Sequence, residues 1–72
     1  MLGRWSQCEP NPDASELTVG QEVRLNLRSR PEYGVQPVGT ILDFRVENDE
    51  WCADVQWPEA VETVPRWALI KA

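Results

Sequence analysis

Polar and apolar residues alternate with a period of two from Val23 to Leu27, where Val23, Leu25 and Leu27 are separated by Arg24 and Asn26. That period puts alternate side chains on opposite faces of an extended chain and predicts a half-buried strand. Gly20 supplies a turn just ahead of it. Thr40, Ile41, Leu42 and Phe44 predict a second strand, which runs into the turn-like stretch Glu47, Asn48, Asp49, Glu50. Trp51, Ala53, Val55 and Trp57 then line one apolar face of a third strand, stopped by Pro58. A short fourth strand spans residues 60–64 and ends at Pro65, residues 66–68 make about one turn, and residues 69–72 close the chain.

No stretch carries a helical period longer than about one turn. Short strands joined by turns leave open edges unless the sheet curls on itself, so the pattern predicts an all-β fold, a small barrel of four to five short antiparallel strands. Gly39, entering the second strand, suits the sharp bend of such closure. Periodicity is absent from residues 1–16, which carry two prolines and scattered acids and read as an irregular N-terminal arm ahead of a barrel at 17–72. Trp5 within that arm is expected to dock on the domain, because a large aromatic gains by burial.

The spacing Gly20, Val23, Leu25, then Gly39 and Ile41, then Val55 and Trp57, then Val64, Pro65 and Leu69 resembles SH3-like barrels of the Tudor and KOW type. A second resemblance is to the plasmid-borne type II dihydrofolate reductases, through the length, the irregular start and the ending of Pro65, Ala68 and Leu69. That likeness implies a bacterial or mobile-element origin. It would also imply an oligomeric reductase. However, the positions matching the family's Val-Gln-Ile-Tyr pore stretch read Val61, Glu62, Thr63 and Val64, and its lysine falls on Leu25. A carboxylate, an isopropyl group and an alkyl chain in those places remove the groups that would hold folate and nicotinamide phosphates.

Other catalytic chemistry is equally short of parts. The 72 residues include no His and one Lys, and Cys8 and Cys52 have no base in their pattern. Glu59 with Glu62, or Asp43 with Asp54, could pair across strands, but acids at strand ends are ordinarily solvated. The two cysteines are far apart, without a CxxC spacing, and are expected as free thiols, Cys52 facing solvent by alternation with Trp51 and Ala53. We therefore expect no catalytic residues, no metal ligands and no cofactor.

Twelve acidic against seven basic residues give a net charge of −5, which repels phosphate backbones and anionic membranes. No apolar run approaches the roughly 18 residues of a membrane span, and residues 1–10 lack the apolar core of a signal peptide. These features predict a soluble cytoplasmic domain with no membrane partner, for which nucleic acid is not the default partner. A chain this small buries only about 60% of its unfolded surface, so partner surface, including a homo-oligomer, can contribute to its stability.

Candidate chemistry then falls on aromatics and arginines. Tyr33 sits in a loop between Pro31 and Pro37, where there is little core to bury it, and it is the first choice for a contact residue. Phe44 and Trp51, with Trp57, match the positions from which Tudor-like barrels build an aromatic pocket for cations or peptides. Trp57 and Trp67 are expected to serve the core. Arg24, Arg28 and Arg30 can grip a carboxylate or phosphate, or simply balance Glu22 and Glu32. The function expected is a non-catalytic binding or adaptor module taking a protein or peptide through the 28–37 loop, with Tyr33, Arg28, Arg30, Phe44 and Trp51 as binding residues. A reductase-like oligomer and a nucleic-acid-associated barrel are the alternatives.

Overall fold

The computed structural model describes residues 8–27 and 37–72. Over these residues the protein is all-β: β1 (Glu22–Leu25), β2 (Gly39–Glu47), β3 (Glu50–Gln56), β4 (Val61–Pro65) and β5 (Leu69–Lys71), with 3-10 turns at Ala14–Glu16 and Arg66–Ala68. All pairings are antiparallel, and the strands form one sheet in the order β4-β3-β2-β1-β5. The core holds Val23, Ile41, Ala53, Val55, Val64, Ala68 and Leu69, joined by Cys8 and Leu17, with no buried polar or charged residue among those described.

The β2–β3 hairpin is set by a two-residue turn in which Asn48 and Asp49 both take positive φ, 52° and 62°. Left-handed values at both central residues match the right-handed twist of the strands on either side, and Asn and Asp tolerate them better than other non-glycine residues. A bulge interrupts the pairing between Ile41 and Asp43. The extra residue, Leu42, is pushed outward to 46% exposure, and beyond it Phe44 instead of Asp43 returns to the core side.

The expected barrel does not close. β4 and β5 are the two ends of the sheet and no ladder joins them among the described residues. The strands that would meet are short, and the chain passes between them through the Arg66–Ala68 turn, which buries Ala68. The remaining gap is filled from the N-terminal side. Asn11 donates its backbone N–H to the Trp67 carbonyl at 2.9 Å and its side-chain amide to the Leu69 carbonyl at 2.8 Å, which covers the outer edge of β5. Cys8 bridges to Leu27, and Glu9 and Asn26 exchange hydrogen bonds. The described part of the segment read as an irregular arm thus contains a bridge and a 3-10 turn, and it contributes Cys8 and Ala14 to the interior. The first strand stops at Leu25, and beyond it Asn26 and Leu27 bond to Glu9 and Cys8 of this segment.

Gly39 is required for a different reason from the bend. A Cβ there would overlap the Val55 Cγ1 methyl and come within 2.7 Å of Cε3 in the Trp57 ring. The bare backbone at Gly39 therefore lets Trp57 lie flat against β2.

Candidate functional site

Antiparallel pairing gives the sheet two distinct ends. At one, β1 finishes and β2 begins, so Leu25 and Pro37 lie beside the turn from β3 to β4. That turn is closed by the Trp57 N–H donating to the Ala60 carbonyl at 2.8 Å. A groove of about 370 Å³ runs here between Leu25, Pro37, Trp57, Pro58, Val61 and Glu62. Val61 is 55% exposed on its rim. Trp57 packs one part of its ring on the core, while its indole Nε1 is buried with no hydrogen-bond partner among the described residues. An unpaired buried donor is costly, at about 1–3 kcal/mol.

The other end carries the Asn48–Asp49 turn. Trp51 lies directly opposite Val46, and the two are 51% and 56% exposed. The Arg66 guanidinium sits 5.5 Å from the centroid of the Trp51 ring, a cation–π distance. Trp67 donates its indole N–H to Glu50 Oε2 at 3.0 Å.

Of the expected binding residues, Tyr33, Arg28 and Arg30 lie outside the described residues. Phe44 is half-buried and packs against the core, whereas Trp51 is exposed near the hairpin turn. Trp51 and Trp57 stand six positions apart on one extended run, roughly 20 Å at about 3.3 Å per residue, so they cannot line one aromatic pocket. The anticipated cluster is thus divided, with Phe44 and Trp51 away from the end at which the 28–37 loop is anchored.

The outward face between these ends is polar. Arg45 donates to Asp54 Oδ2 at 2.8 Å and to Glu47 Oε2 at 3.3 Å, and the Thr63 hydroxyl donates to Asp54 Oδ1 at 2.9 Å. The Thr63 hydroxyl first, and then Arg45, hold the Asp54 carboxyl below the ordinary aspartate range. Asp43 does stand opposite Asp54, but its Oδ1 accepts the Phe44 N–H. The two carboxylates therefore each have a hydrogen-bond partner within the sheet.

Cys52 does not face solvent as alternation suggested. It is 6% exposed, since its small side chain sits between Arg45 and Pro65 on the adjoining strands. Burial, with Glu50 and Glu47 nearby, pushes its thiol pKa up. Cys8 is buried too, and no disulfide joins the two cysteines. No group of three or more His, Cys, Asp or Glu among the described residues could hold a metal ion, and no described helix is long and apolar enough to cross a membrane.

The four positions matched to the reductase pore stretch all fall on β4. Val64 is fully buried, Thr63 is bonded to Asp54, Glu62 lines the groove, and only Val61 is exposed. Sequence reasoning missed the groove because Pro37, Trp57 and Val61 come together only through strand order. It missed the Trp51–Arg66 stack because that contact follows from the β3–β4 register. No family model matches this sequence, and no curated protein or solved structure matches it significantly.

Proposed function

We propose that the chain is an SH3-like, non-catalytic recognition module that takes an extended protein or peptide segment along the groove beside Trp57. The SH3-like reading is supported by the strand order and by the 3-10 turn between the last two strands. The recognition reading rests on one observation: a groove of about 370 Å³ lies beside Pro37, at the end of the 28–37 loop, with Val61 exposed on its rim. Loops held on a rigid sheet commonly carry recognition, and an apolar groove with a few polar groups fits a peptide. Tyr33 would anchor the partner, and Arg28 and Arg30 would orient an acidic one.

Catalysis of the reductase type has no support at the matching residues, since Thr63 and Val64 are already used by the fold. We expect no hydride transfer from a nicotinamide cofactor to dihydrofolate above the buffer background.

Affinity capture from a lysate of the source cell tests the proposal, with wild type, Tyr33→Ala and Val61→Glu as baits compared by quantitative mass spectrometry. Both variants should lose the same partner while melting close to wild type. Retention of that partner by both would overturn the assignment.

A further inference from the structure

The two outer strands of the sheet are finished differently. On β5, Leu69 donates its N–H to the Arg66 carbonyl, and its own carbonyl accepts from the Asn11 side chain, so that edge is covered at Leu69. On β4 the hydrogen bond from the Trp57 N–H to the Ala60 carbonyl makes residues 57 and 60 a bonded pair, and the β3–β4 register runs on from it without a bulge. Bonded and non-bonded pairs alternate along an antiparallel ladder. Glu62 and Val64 therefore turn their N–H and C=O groups to β3, while those of Val61 and Thr63 point away from the sheet. Pro65 agrees with this parity, since its missing N–H falls on the outward side. Among the described residues no hydrogen bond reaches the outward N–H or C=O of Val61 or Thr63. These two donors and two acceptors form an open row beside the groove, and the exposed Val61 belongs to both.

We propose that β4 is a docking edge at which an extended segment of another protein adds as a sixth strand, bonded through its main chain to Val61 and Thr63. The inference rests on the groove reading above and specifies how the segment is held. Main-chain bonds of this kind supply affinity, and pockets for alternate side chains supply selectivity. One side chain of the added strand would enter the groove between Trp57, Pro58 and Leu25, which calls for an apolar residue there, and the residue opposite Glu62 would not be acidic. A second copy of this chain fits the row poorly. Antiparallel β4–β4 pairing about residue 62 sets Glu62 against its own copy, and pairing about residue 63 sets the Val61 carbonyl against Pro65, which has no N–H to give. A foreign strand meets all four groups without either defect.

Amide hydrogen exchange, read in proton–nitrogen correlation spectra of the full chain, gives the test. In the free protein the Val61 and Thr63 amides should exchange fast and those of Glu62 and Val64 slowly, following the ladder parity. The probe is the acetylated, amidated heptapeptide Lys-Val-Thr-Val-Thr-Val-Lys, N-methylated at its three valines so that only one of its edges can bond. At saturating peptide, exchange at Val61 and Thr63 should slow about tenfold or more, with Glu62 and Val64 unchanged. The same peptide N-methylated at every residue should protect none of them. The inference is overturned if Val61 and Thr63 are already as protected as Glu62 and Val64, if the one-edged peptide leaves their exchange unaltered at millimolar concentration, or if the fully methylated peptide protects them equally. Protection that rises with protein concentration without peptide would make a second copy the occupant and overturn it too. Shifts of the Trp57 indole signal with unaltered exchange at Val61 and Thr63 would sink strand addition and leave the groove reading standing, whereas no response at either place would count against both.

Discussion

Single atoms decide the two residues with the sharpest consequences. A methyl group added at Gly39 has nowhere to go, because Val55 and the Trp57 ring already fill the space. Gly39→Ala should therefore cost about 2–3 kcal/mol, the range for overpacking a closely packed site, as measured by denaturant unfolding. Stability within about half a kcal/mol of wild type would mean that Trp57 does not lie against β2. Asp54 makes the opposite kind of prediction, one about protons. Its carboxyl is more acidic folded than unfolded, so in the window below about pH 4 the unfolded chain binds more protons. The stabilisation is complete at neutral pH and is lost as pH falls through the folded-state value. Thr63→Val, which removes the hydroxyl donated to Asp54, should raise the Asp54 value in a carboxyl carbon titration and move the acid-unfolding midpoint upward. An unchanged titration would show that the hydroxyl does not hold the carboxylate. At this scale the sequence was only partly legible: Trp57 was readable as core from its place on an alternating strand, but Cys52 was not, because its cover comes from Arg45 and Pro65 on neighbouring strands.

Among the elements, the β2–β3 hairpin dominates the sheet. Its turn spends two non-glycine residues in left-handed backbone, at φ 52° and 62°. Asp49→Gly relieves one of them and creates the Asn-Gly pair favoured in such turns, so the variant should be stabilised by up to about 1 kcal/mol and melt higher. A lower melting temperature would contradict the turn geometry. The strands themselves were legible because period-two alternation and the prolines at 58 and 65 mark them. The bulge at Leu42 was not, since three successive apolar-compatible residues, Thr40, Ile41 and Leu42, leave the register open until β3 is paired beside them. Nor was the role of residues 8–17: their hydrogen bonds run to Asn26, Trp67 and Leu69, and no local pattern announces contacts so distant in sequence.

For the whole molecule, the open edge of β5 is covered by Asn11 and not by closure onto β4, and the sheet keeps two separate ends. The all-β class followed from the absence of helical period. The division of the aromatic residues between the ends did not, because it depends on which strands are neighbours. This division also separates scaffold from recognition: Trp57 is tied to Gly39 and the core, while Tyr33 has only its place in the loop sequence to recommend it. Once the partner is captured, the affinity of Tyr33→Ala for it, measured by calorimetry alongside a melting curve, tests the central claim most directly. The account predicts binding weaker by at least about 1 kcal/mol, or roughly fivefold, with a melting temperature close to wild type. Wild-type affinity, or a variant that no longer folds, would contradict it and place the tyrosine outside the contact surface or inside the core.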